Sequence, residues 1–172
     1  MMMQGNNTRS VLIAIGANLP HLRQSAHQTC AQAVQALRTL PGLEVERVSR
    51  WYESAPVPPS GQPPYVNGVV LCRTTLEPTA LLDALQKVET QLGRVRSVPN
   101  AARTLDLDII SMDDVQMHTP RLVLPHPRAT QRAFVLCPLR DVAPDWKDPL
   151  TGKGLKTLLE GVAGQEIQPV GE

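Results

Sequence analysis

The sequence predicts an α+β fold: an antiparallel sheet with helices on one of its faces, followed by a C-terminal extension. Three observations predict it. Residues 11–15, 43–52, 66–76 and 104–111 carry apolar residues in short runs or with period two, as strands do. Two stretches between them repeat apolar residues at helical spacing. Read in order, the elements run strand, helix, strand, strand, helix, strand, the βαββαβ order of a ferredoxin-like unit.

Each element has its own warrant. Val11-Leu12-Ile13-Ala14-Ile15 reads as a buried strand ended by Gly16-Ala17-Asn18. A helix follows with Pro20 near its start and a stripe of Leu22, Ala26, Cys30, Val34, Leu37 and Leu40, and Pro41-Gly42 stops it. The strand at 43–52 alternates, but its phase slips once between Leu43, Val45 and Val48. Residues 55–64 hold five prolines and Gly61, too long and rigid a stretch for a hairpin turn, so a binding loop or an irregular connection is expected. After the third strand, Pro78 suits a first helical position and Gly93 a stop, with Leu81, Leu85, Val88 and Leu92 as the core stripe. The fourth strand runs from Thr104 to Ser111. In the extension a helix is expected near 129–139 and a weak one after Pro149. The chain reads as one domain over 1–172, with 1–9 and 165–172 expected to fray.

Composition narrows the function classes. Lys+Arg number 17 against 16 Asp+Glu, so no strong field calls for nucleic acid or a membrane surface. Cys30, Cys72 and Cys137 are scattered among apolar or small residues, which points to free thiols in a reducing cytoplasm. No targeting segment is visible, and a cytoplasmic monomer is expected. Aromatic residues make up only 3% of the chain, so Trp51, Tyr52, Tyr65, Phe134 and Trp146 each stand out.

The chemistry concentrates in the fourth strand. Leu105, Leu107 and Ile109 alternate with Asp106 and Asp108, so the two carboxylates share a face about 7 Å apart along the backbone. Their repulsion calls for a compensating cation, and Mg²⁺ beside phosphate oxygens suits such a pair. A merely solvated pair is the alternative. Arg94, Arg96 and Arg103 precede the strand and could clamp a polyphosphate, and His126 and Arg132 add two phosphate-capable groups. Taken alone, such a cluster is more often a solvated basic surface. Tyr65 and Asn67 face one way on the third strand, a ring and an amide suited to a flat heterocycle, and Phe134 could form the opposite wall. Core packing of both rings is the other reading.

These segments together resemble the 6-hydroxymethyl-7,8-dihydropterin pyrophosphokinase family of folate biosynthesis. The resemblance rests on Ile13-Ala14-Ile15-Gly16-Ala17-Asn18-Leu19, Ser49 to Pro56, Pro64-Tyr65-Val66-Asn67, Glu89 with Gly93-Arg94-Val95-Arg96, Arg103 to Ile109, and Pro125-His126 with Arg132 and Phe134. It implies transfer of the terminal diphosphate of ATP to the pterin hydroxymethyl oxygen, leaving AMP. It implies two Mg²⁺ ions on Asp106 and Asp108, with Asp108 near the attacking hydroxyl and Arg94 and Arg103 as catalytic arginines. Gln86, Glu89, Arg96, Ile109, Arg121, His126 and Arg132 match nucleotide positions, with ATP as co-substrate. Tyr65, Phe134 and Asn67, with Ser54, Ala55 and Val57, match the pterin pocket. Three positions depart from the family pattern: Asn100-Ala101-Ala102 where a tryptophan and Gly-Pro are usual, Pro127 for a tyrosine, and Ala55 for a proline. The rivals are a palm-type nucleotidyl transferase, which would release pyrophosphate, and a small-molecule or RNA-binding module on the same fold, of which the charge balance and scarce aromatics disfavour RNA binding.

Overall fold

The computed structural model describes residues 8–18, 26–54, 65–92 and 105–170. Six strands form one antiparallel sheet. β1 (Arg9–Ala17) lies between β4 (Tyr65–Thr74) and β5 (Asp106–Met112). Two short strands, β2 (Leu43–Val48) and β3 (Tyr52–Ser54), share the other edge of β4. The final strand, β8 (Gln168–Pro169), adds to β3. The single phase slip in the second strand is a register shift between Val45 and Arg47 against β4. That strand also divides, because the Ser49 hydroxyl accepts from Val69 N–H at 2.9 Å and donates to the Arg50 carbonyl at 2.6 Å. A side chain thus takes a place in the ladder, and the chain re-enters the sheet only at Tyr52.

Two helices cover one face. α1 (Ala26–Arg38) buries Cys30, Ala33, Val34 and Leu37, and α2 (Pro78–Gln91) buries Leu81, Leu85 and Val88. α1 packs on β1 and β4 and α2 on β5, in one core with Val11, Ile13 and Ile15 of β1 and Leu107 and Ile109 of β5. Pro78 sits in the first turn of α2, where its missing N–H costs nothing. Residues 19–25 and 93–104, including Pro20, Gly93 and the basic stretch, lie outside the described residues, as does the proline-rich loop 55–64.

The helices are not confined to that face, and here the expectation is corrected. α3 (Ala133–Val142) and α4 (Leu155–Gly161) form a second core on the opposite side with Leu12, Val69 and Ile110. The physical reason is in the strands. β1 and β4 carry consecutive apolar residues, and a continuous run buries both faces of a strand, whereas alternation buries one. The helix expected over 129–139 also begins later: Ala129–Gln131 is a 3₁₀ turn, and Arg132 is extended at φ −129° and ψ 119° before α3 starts. Tyr52 closes the packing of α3 on the sheet; its hydroxyl donates to Asp141 at 2.8 Å, and Arg50 pairs with the same carboxylate at 3.5 Å.

A two-stranded hairpin, β6 (Met117–His118) with β7 (Val123–Leu124), follows β5. It returns the chain so that His126 N–H donates to the Ile110 carbonyl at 2.7 Å. Where fraying is expected from residue 165, the structure instead holds the tail as far as residue 170, with Val170 N–H on the Trp51 carbonyl at 2.8 Å. Among the described residues no helix is long and apolar enough to cross a membrane.

Candidate active site

The second face of the sheet is covered by α3 at one end only. At the other end lies a cleft of about 810 Å³, within the range of small-molecule sites. Its floor is set by strand register. Asp106 pairs with Gly16, which pairs with Asn67, and Asp108 pairs with Ala14 one row away. Paired residues share a face, so two small residues on the central strand separate a carboxylate half from an amide half. A Cβ on Gly16 would meet Asn67 Oδ1 at 2.7 Å. Glycine there lets the Asn67 amide lie over β1, and Asn67 Nδ2 donates to Ser54 Oγ at 3.3 Å. Ser54 is opposite Tyr65 in the β3–β4 ladder, and both line the cleft.

The walls come from the segment after β7. His126, Arg132 and Phe134 all line the cleft. The extended backbone at Arg132 breaks the 3₁₀ turn from α3, and the guanidinium lies 5.3 Å from the centre of the Phe134 ring. Arg128 N–H donates to His126 Nδ1 at 3.1 Å, which leaves Nε2 as the protonated nitrogen of a neutral ring. Burial pushes the His126 imidazole below its ordinary range, and Arg132 and Arg128 push the same way, while Asp108 opposes them. A neutral imidazole can still donate from Nε2 to an anionic oxygen.

The structure thus brings together Asp106, Asp108, Ser54, Tyr65, Asn67, His126, Arg132 and Phe134 of the sequence-derived set. Four other members lie elsewhere. Ile109 points into the helix-side core, and Gln86 is exposed on α2. Arg121 pairs with Asp83 at 2.7 Å on the surface. Glu89 is buried on α2 behind the sheet, where its carboxylate accepts from Leu107 N–H at 2.7 Å. That bond falls on the residue between the two aspartates. Arg94, Arg96, Arg103, Ala55 and Val57 lie outside the described residues. Gly16, Ala14 and Gln165 also line the cleft and were not anticipated as site residues. The alternation of small residues along β1 carried the signal for the first two; nothing local marks Gln165.

Among the described residues no three of His, Cys, Asp and Glu group closely enough to hold a metal by themselves. The Asp106–Asp108 pair lining the cleft fits Mg²⁺ nonetheless, since that ion commonly takes one or two carboxylates and completes its shell with substrate phosphates and water.

Comparisons with known proteins point to one family. Residues 12–144 match the family model described as 7,8-dihydro-6-hydroxymethylpterin-pyrophosphokinase. A 2-amino-4-hydroxy-6-hydroxymethyldihydropteridine pyrophosphokinase of Synechocystis is 44% identical over 138 residues, 80% of this chain and 70% of that protein. The enzyme of the same name from Pseudomonas aeruginosa is 43% identical over 158 residues, 92% of this chain and 94% of its own. The fold is similar to the crystal structure of Plasmodium falciparum HPPK-DHPS, with a TM-score of 0.69 at 13% identity, covering 89% of this chain and 44% of that one.

Proposed function

The chain belongs to the 7,8-dihydro-6-hydroxymethylpterin-pyrophosphokinase family, and we propose that the cleft on the second face of its sheet is where both substrates meet. The protein is a pyrophosphokinase acting on hydroxymethyldihydropterin in folate biosynthesis. The strand order β5-β1-β4 with β2 and β3 outside supports reading residues 9–112 as a ferredoxin-like unit.

In this reading the pterin hydroxymethyl oxygen attacks the β-phosphorus of ATP. The bond from that phosphorus to the oxygen it shares with the α-phosphate breaks, and AMP leaves. Tyr65 and Phe134 hold the pterin ring between them, and the Asn67 amide, oriented by Ser54 and by the space above Gly16, reads its polar edge. An analogue lacking the matching groups would strand a buried amide, which is how such a site rejects it. Asp106 and Asp108 hold Mg²⁺, two ions in all. When bound, these supply charge neutralisation and alignment of the polyphosphate for in-line displacement. His126 Nε2 and Arg132 take phosphate oxygens at the opposite wall. Arg94 and Arg103 stabilise charge on the transferred group, and Arg96 contacts the nucleotide. Gln86, Ile109 and Arg121 lie outside this cleft, and in this reading they meet the part of the nucleotide that extends beyond it, while Glu89 acts from behind by fixing the strand beneath the aspartates. Ala55 and Val57 complete the pterin pocket with backbone groups.

The observation that carries the reading is the row Asp106, Gly16, Asn67, which brings a carboxylate and an amide to one face of the sheet in a single cleft. Incubation with ATP, Mg²⁺ and 6-hydroxymethyl-7,8-dihydropterin tests it: AMP and the pterin diphosphate are expected in equal amounts. Release of pyrophosphate or ADP instead would point to a nucleotidyl transferase or a simple kinase.

A further inference from the structure

The cleft has a wall that the family match does not contain. The match ends at residue 144, yet Gly164, Gln165 and Glu166 line the cleft. Two sets of bonds hold this segment. At its far end β8 pairs with β3, Tyr52 against Pro169 and Glu53 against Gln168, next to Ser54. At its near end the Gln165 side chain makes a double contact: Oε1 accepts from Ala133 N–H at 2.8 Å, and Nε2 donates to the Gln131 carbonyl at 2.9 Å. Those two groups flank Arg132. The first turn of α3 needs such a partner, because Arg132 at its N-cap makes no side-chain capping bond. One amide therefore replaces the missing cap and also fixes the 3₁₀ turn on the other side of Arg132. The strap runs from the β3 wall of the cleft to the corner that bears Arg132 and Phe134.

We propose that the strap formed by residues 164–170 is a third wall of the substrate cleft, with Gln165 as a positioning residue that holds the Arg132–Phe134 corner against the pterin. The inference rests on the reading of the cleft given above. Its function is affinity for the ring: with the corner fixed, Phe134 is preorganised to stack, and the ligand need not order it on binding.

The test titrates the pterin into protein saturated with Mg²⁺ and a non-hydrolysable ATP analogue, for the unaltered chain and for Gln165→Ala, Gln165→Glu and Thr151→Ala. Thr151 bonds Asp148 in the same C-terminal region, away from the cleft, and serves as the control for general loosening. Gln165→Ala is expected to weaken pterin binding about fivefold, the scale of one lost capping contact. Gln165→Glu keeps the acceptor for Ala133 N–H but opposes the Gln131 carbonyl, so about half that loss on a logarithmic scale is expected, and it stands in should the alanine variant not fold. The pterin KM should rise in parallel while kcat changes little, and hydrogen exchange at the Ala133 amide should quicken. A pterin affinity in the Gln165 variants no weaker than in Thr151→Ala would overturn the proposal. Failure of the unaltered chain to bind the pterin would overturn the reading of the cleft and this inference with it.

Discussion

Gly16 contributes to the site by having no side chain. A methyl group there would lie 2.7 Å from Asn67 Oδ1, closer than such atoms approach, so the amide must swing away. Gly16→Ala should then cost pterin binding roughly 1–3 kcal/mol, the range for a displaced buried hydrogen-bonding group, with nucleotide binding little changed. Calorimetry with each ligand checks it; equal losses for both would mean a general distortion of β1. The two rings make a parallel case. Tyr65→Ala and Phe134→Ala should each weaken pterin binding by about 1–3 kcal/mol, on the scale of base–aromatic stacking. Unchanged pterin affinity in either would assign that ring to packing alone. Much of this was legible from residue types. Asp106, Asp108, Tyr65, Asn67, Arg132 and Phe134 sit far apart in sequence and meet in one cleft. Gly16 was harder to see, because a glycine matters through the neighbour that fills its space, and that neighbour is 51 positions away.

Among the elements, β5 is the one on which the proposed chemistry depends, and it is supported from behind. Glu89 on α2 accepts the Leu107 N–H at 2.7 Å in a buried setting, which fixes the strand between the two aspartates. A charge-assisted bond of this kind is stronger than a neutral one. Glu89→Ala leaves that buried amide without its acceptor, and a loss on the order of 1–3 kcal/mol is expected in urea unfolding, with a larger loss of turnover than of pterin affinity. Stability and turnover both at the level of the unaltered protein would show that the carboxylate is dispensable. Sequence periodicity located β5 and α2 to within two residues at most ends. It could not place Glu89, since a carboxylate in a helix reads as solvated until the strand it faces is known. The C-terminal elements were less legible still: the stretch expected as one helix is broken at Arg132, so α3 starts only at Ala133, and β8 is two residues long and pairs with the edge of β3.

For the whole molecule, burial on both faces of the sheet decides stability and its response to pH. Cys30 and Cys72 lie in the helix-side core, and burial pushes each thiol up to about 12. The folded value exceeds the unfolded one near 9, so the unfolded chain gives up these protons first. The stabilisation is therefore complete below about pH 9 and is lost as the pH rises toward about 12. At about pH 10.5 the loss is on the order of 2 kcal/mol per thiol. Thermal unfolding from neutral to alkaline pH should show a steeper decline in the native protein than in Cys30→Ala/Cys72→Ala; identical slopes would assign the decline to other groups. The two-sided core was half visible in sequence. Consecutive apolar residues in β1 announced a buried strand, but what covered its second face depended on where the extension returned, and no local pattern records that.

In the proposed reading the carboxylates that line the cleft on this second face carry the transfer. AMP formation at saturating Mg²⁺, measured side by side for the unaltered protein and for Asp106→Asn and Asp108→Asn, tests it most directly. Each variant should retain its unfolding transition, or gain slightly from relieved repulsion. Each should form AMP at least about a hundredfold more slowly, the scale on which preorganised charge stabilisation acts. AMP production near the native rate in either variant would contradict the claim.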